Sequence, residues 1–130
     1  MRTLVFHLDN FIDNKAYKLL LKHSLFFVDI QFNNCYNKPA ELSNEEHVGM
    51  KLAMSDCFLI LISSELFMDP KMMFYIKIAL STNKPIKFVL MENCDYRILN
   101  LTGNSLLDIS FNSYDSKNRW ANDVLAKIRK

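Results

Sequence analysis

Glycine is nearly missing from this chain: Gly49 and Gly103 are the only two in 130 residues. A Walker loop or a dinucleotide fingerprint needs several glycines within a few residues, so that backbone can turn tightly and approach phosphate. Those nucleotide-binding motifs are excluded. Cysteine is scarce and odd in number, with Cys35, Cys57 and Cys94 at no paired spacing. This predicts free thiols in a reduced, cytoplasmic protein. Cys57 lies in an apolar run and reads as a small core residue. No stretch reaches the ~18 apolar residues of a membrane span. Met1-Arg2-Thr3 runs straight into an apolar segment, too short a lead for a signal peptide. Charge of one sign is also lacking. The net charge of +2 is too small to imply a nucleic-acid partner, and the basic residues are spread along the chain apart from a small C-terminal cluster. No group of His, Cys and carboxylates has the spacing of a metal site, Cys35 and His47 being isolated, so no metal is expected. The histidines have no motif context from which a Ser-His-Asp arrangement could be built.

What is present is core. Half of the residues are hydrophobic and 23% are charged, which excludes a disordered chain. The length suits a single domain, residues 1–130. Its organising stretch is Ser55 to Met91. Cys57-Phe58-Leu59-Ile60-Leu61-Ile62 is an unbroken apolar run ending at Ser63-Ser64, the pattern of a strand buried on both faces. Asp69-Pro70 supplies an N-cap and a proline at the first helical position, predicting a helix to about Asn83. Lys84-Pro85 stops that helix, and Ile86 to Met91 reads as the next strand.

The flanks repeat the unit. Thr3-Leu4-Val5-Phe6 is a first strand, reaching towards Leu8. Asp13 is placed to cap a helix running to about His23, and Phe26 to Ile30 is a short second strand. Gln31 to Leu42 is a polar, asparagine-rich loop of a length often tied to function. Ser43 and Glu46 form a capping box for a helix carrying Val48, Met50, Leu52, Ala53 and Met54. Glu92 to Asn104 is a loop, and Leu106 to Ser110 a short fifth strand. Ser116 caps a final helix with Trp120, Ala121, Val124, Leu125 and Ile128 on one face. The alternation predicts an α/β domain: a doubly wound, five-stranded parallel sheet of flavodoxin-like order 2-1-3-4-5, with helices on both faces. Ligands of such sheets bind at the carboxyl ends of the strands beside the switch point. Here that brings His7, Leu8, Asp9 and Asn10 to face Ser63, Ser64 and Glu65.

Two segments carry a family resemblance. Ser55-Asp56-Cys57-Phe58-Leu59-Ile60-Leu61-Ile62-Ser63 and Ile78-Ala79-Leu80-Ser81-Thr82-Asn83-Lys84-Pro85-Ile86 resemble the Toll/interleukin-receptor (TIR) domain family. The resemblance implies a protein–protein association module in immune or defence signalling, whose partners are itself or other TIR-like domains. It implies NAD as substrate in catalytic members, through a glutamate on the central helix. Here that position is Tyr75, and the position where the family often has Trp is Lys71. A phenol with a pKa near ~10 cannot replace a carboxylate. The chain therefore reads as catalytically impaired and without a cofactor. The alternative is an enzyme cleaving the N-glycosidic bond of NAD or a nucleoside, similar to the nucleoside deoxyribosyltransferase group. Its acid would fall on the same helix, where Phe74-Tyr75-Ile76 offers none.

Candidate sites follow. His7, Asp9, Asn10, Ser63 and Tyr75 are candidates for holding a nucleotide-like ligand, with Glu65 and Tyr75 as weak catalytic candidates. Met50, Met54, Met72 and Met73 read as core filler. On the central helix Met72, Ile76, Ala79 and Leu80 share the inward face, with Tyr75 and Met73 at its edges. Phe74 and Ile78 fall opposite, flanked by Lys71 and Lys77, and suggest a contact surface. The resemblance adds the loop with Asn34 and Pro39 as a second one.

Overall fold

A computed structural model of the chain describes residues 2–24, 26–30, 44–99 and 105–128. The long loop with Asn34 and Pro39, and the Ser43 cap, lie outside them. Among the described residues the sheet has four parallel strands, β1 (Thr3–Phe6), β2 (Phe27–Asp29), β3 (Cys57–Ile62) and β4 (Ile86–Leu90), in the order β2-β1-β3-β4. Four helices accompany them: α1 (Phe11–His23), α2 (Asn44–Met54), α3 (Pro70–Leu80) and α4 (Lys117–Ile128). At the expected fifth strand, Leu106 makes an isolated parallel bridge to Phe88 and no strand continues from it.

The apolar run of β3 is buried at all six positions and pairs on both sides, Thr3 to Phe6 against Cys57 to Ile60, and Phe58 to Ile62 against Ile86 to Leu90. Alternate side chains of a strand point to opposite faces, and the core divides accordingly. Leu4, Phe6, Phe58, Ile60, Ile62 and Phe88 pack with Val48 and Leu52 of α2 and with Met72, Ile76 and Ala79 of α3. Val5, Leu59, Leu61 and Val89 pack with Ala16 and Leu20 of α1 and with Trp120, Ala121 and Val124 of α4. Trp120 is fully buried, its ring edge-on to Phe111 at 4.8 Å and its indole N–H donating to Ile109 O.

Several local expectations need correction. Asn10, not Asp13, caps α1: its Oδ1 accepts from Asp13 N at 2.8 Å. Phe26 lies outside β2 and is exposed. The central helix ends at Leu80 rather than Asn83, because the hydroxyls of Ser81 and Thr82 turn back onto Ile78 O and Ala79 O. Such side-chain bonds compete with continuation of the helix. Met50 and Met54 are exposed at 46% and 59%, so only Met72 and Met73 of the four methionines reach core. On α3, Leu80 is exposed while Ile78 is half-buried against the core, the reverse of the wheel expectation.

Lys84 does more than end a helix. Its ammonium donates to Leu52 O at 2.7 Å and to Ala53 O at 2.8 Å, the last carbonyls of α2, while sitting 5.9 Å from the Phe58 ring. Terminal carbonyls lack partners within the helix, and a cation there also meets the negative end of the helix dipole. A residue two places before β4 thus closes the element before β3. Lys84→Met keeps the aliphatic stem and removes the donor. It is expected to lower unfolding free energy by about 1–2 kcal/mol, read from urea midpoints, with amide exchange accelerated in α2. An unchanged midpoint would show that the cap is dispensable.

Candidate functional site

A cleft of about 300 Å³ opens at the carboxyl ends of β1, β3 and β4, where the chain order places a switch point between β1 and β3. It is lined by Asn10, Phe11, Ile12 and Asp13 from the start of α1, by Ser63 and Glu65 after β3, and by Met91 and Glu92 after β4.

Each segment is held in place by a polar contact. Asp13 is buried, and its carboxylate accepts from Leu8 N at 3.1 Å, returning the chain from β1 into α1. Burial pushes the Asp13 carboxyl above its usual value; the Leu8 N–H and the nearby His7 oppose the shift, and the charges of Glu65 and Glu92 add to it. Glu92 Oε1 accepts from both the amide and the hydroxyl of Ser64 at 2.8 Å, tying the end of β4 to the end of β3. Those two bonds from Ser64 hold the Glu92 carboxyl below its usual value. Ser63 precedes the 3-10 turn Ser64–Met68 at its N-cap position, yet its hydroxyl makes no capping bond. That Oγ is buried without a hydrogen-bond partner among the described residues.

Of the residues expected here, Asn10, Ser63 and Glu65 line the cleft. Asp9 is exposed beside it and accepts from Asn14 Nδ2 at 2.8 Å. His7 is fully buried. Its Nδ1 donates to Leu8 O at 2.8 Å, and its ring stacks on Tyr17 at 5.4 Å. The cause is strand parity: His7 continues the face of Thr3 and Val5, which turns towards α1. Tyr75 is buried at 5% exposure in the other cluster, with Leu4, Phe6 and Ile60, while Ser63 continues the Leu59 and Leu61 face. Tyr75 and Ser63 thus lie on different faces of the sheet. Glu92 and Asp13 were missed as site residues. The available signal was position: Glu92 comes two residues past the end of β4, as Ser64 does past β3.

Cys57 is buried, its Sγ 3.1 Å from Thr3 Oγ1, and burial pushes its thiol up; burial does the same to Cys94. Neither is poised as a nucleophile. Among the described residues no group of three or more His, Cys, Asp or Glu could hold a metal ion, and no helix is long and apolar enough to cross a membrane. Compared with family models, with curated proteins and with solved structures, the chain has no match.

The raised carboxyl of Asp13 has a defined consequence for stability. Its folded state binds the proton more tightly than the unfolded chain does. Its contribution is therefore fully present below the ordinary carboxylate value and is lost as pH rises through the raised one. Asp13→Asn keeps an acceptor for Leu8 N and removes that loss, so it should match or exceed the wild type at about pH 7. Asp13→Ala strands the Leu8 N–H and should cost about 1–3 kcal/mol at about pH 4, and less at about pH 7, where the wild type has lost its proton-linked contribution. Urea unfolding at about pH 4 and pH 7 checks both. An Asn variant that is weaker at neutral pH would show that the Asp13 charge is net stabilising.

Proposed function

We propose that this chain is a TIR-like interaction domain in defence signalling that associates with a second copy or another TIR-like domain, and that it is catalytically impaired. The finer reading of its fold, a doubly wound sheet of five strands in the order 2-1-3-4-5, belongs to the same proposal. It is supported by the two core clusters, each with two helices, and by the bridge from Leu106 to Phe88 beyond β4. The function rests on one observation about α3. At the position of the family's acid, Tyr75 is turned into the core, while its neighbour Phe74 is 56% exposed between the exposed Lys71 and Lys77. A helix of this kind offers a substrate no carboxylate and offers a partner an aromatic side chain. Burying Phe74 would contribute roughly 1.5–3 kcal/mol to a contact. Ile78 packs against the core and is not part of that surface.

Sedimentation of the wild type at rising concentration should show self-association, and Phe74→Lys should abolish it with the unfolding midpoint nearly unchanged. A wild type that stays monomeric at about millimolar concentration removes the self-association reading; each 1.4 kcal/mol of contact energy is a tenfold change in affinity.

The second reading, cleavage of an N-glycosidic bond in NAD or a nucleoside, has one feature in its favour: Glu65 is an exposed carboxylate at the cleft. The proposed impairment predicts no turnover of NAD or nucleosides. Turnover near ~1 per second or faster, abolished by Glu65→Gln, would replace the interaction reading with the enzymatic one.

A further inference from the structure

A larger gap opens against α3. A groove of about 590 Å³ is lined by α3 together with Phe67 of the 3-10 turn Ser64–Met68 and Leu99 of the turn Arg97–Leu99. Met73, Lys77 and Leu80 stand at the three- and four-residue spacing that puts side chains on one stripe of a helix. Buried Ile76 completes that side. The lining is apolar except for Lys77, which is exposed and has no hydrogen bond or ion pair among the described residues.

The topology accounts for the gap. Helices α2 and α3 cover one face of the sheet. Among the described residues, the connection from β4 to the Leu106 bridge carries only the short turn Arg97–Leu99 where a parallel crossover commonly carries a helix. The flank of α3 on that side therefore has an apolar stripe and little to cover it. The groove also adjoins the surface already assigned to association, since Met73 and Lys77 are neighbours of Phe74 on α3 at i−1 and i+3.

The chain itself carries a side chain of matching shape and charge. Three phenylalanines are exposed among the described residues. Phe74 belongs to α3, and Phe26 follows Lys22 and His23, which would set basic groups against Lys77. Phe11 is the most exposed, at 82%, with Ile12 beside it at 55%. It opens α1, which packs on the opposite face of the sheet from α3. Its surroundings are acidic: Asp9 lies two residues before it, Glu65 and Glu92 share a cleft lining with it, and all three are exposed.

We propose that a second copy of the chain seats Phe11 in the groove beside α3, with its carboxylates facing Lys77. This rests on the self-association proposed above and names the surface that α3 meets. Phe11 and the groove are different surfaces, so the contact is heterologous: each added copy still presents a free Phe11 or a free groove, and association is open-ended. Opposite charge around an apolar centre fixes the register and disfavours an α3–α3 pairing, in which Lys77 would meet Lys77.

Sedimentation of variants tests the pairing. The wild type should form species that lengthen with concentration, and Phe11→Ser should weaken association roughly tenfold or more with the unfolding midpoint unchanged. Phe11→Ser keeps an intact groove, and Phe74→Lys keeps an intact Phe11. Mixed, the two should form a one-to-one dimer that grows no further. Lys77→Glu and Glu65→Lys should each weaken association, and the chain carrying both should recover it. If Phe11→Ser associates as the wild type does, α3 meets some other surface: the proposal is overturned, and self-association through Phe74 stands. A mixture that stays monomeric, or a double charge reversal weaker than either single one, also overturns it. A wild type monomeric at about millimolar concentration removes both readings.

Discussion

The rest of the structure depends on the double burial of β3. Its six residues are all apolar and all buried, and its backbone pairs with β1 on one side and β4 on the other. A strand in that position can leave no backbone group without a partner and no face without a cover. The first requirement brings the two neighbouring strands into parallel register. The second requires helices against both sets of side chains, and the two core clusters supply them: α2 and α3 against Phe58, Ile60 and Ile62, α1 and α4 against Leu59 and Leu61. Hydrophobic burial drives this arrangement, but the backbone pairing decides its geometry.

Polar groups then close the ends of elements, and they do so across long sequence separations. Lys84 holds the end of α2, Asp56 accepts from Arg2 N at 2.8 Å at the foot of β1, and Glu92 holds Ser64. Each links the loop of one strand to the loop or helix of another. These contacts are individually worth little compared with the core. They set where the loops lie, and so they shape the cleft at the carboxyl edge, whose lining comes from three separate connections.

The outer face of α3 and the cleft at the carboxyl edge are separate parts of the molecule for a physical reason. The outer face of α3 is free to carry Phe74 because the helix already buries Met72, Tyr75, Ile76 and Ala79. The cleft is acidic because the three connections that form it end in Asp13, Glu65 and Glu92, with no basic residue among them. A protein whose net charge is +2 thus has a locally negative pocket, a feature that only spatial assembly produces.

The elements themselves were legible in the sequence. An apolar run of six, the Asp69-Pro70 start and the Ser116 cap of α4 each rest on local physics, strand burial or helix capping, and each holds in the structure: Asp69 accepts from Met72 N at 2.9 Å and Ser116 from Arg119 N at 3.3 Å. The parallel order β2-β1-β3-β4 followed from the alternation of elements. The site was legible only in part, through Asn10, Ser63 and Glu65 at strand ends. What the chain order could not convey is which neighbouring positions share a face at that edge. His7 and Tyr75 were expected in the crevice because of their place in the sequence, and both went into the core. Strand parity turned His7 towards Tyr17, and the packing of α3 turned Tyr75 towards Phe6 and Ile60. Local pattern determines the face that each element buries. Only the docking of elements, through the depth of each helix and the register of each strand, determines which remote side chains meet, and that is why Glu92 and Ser64 came together unannounced.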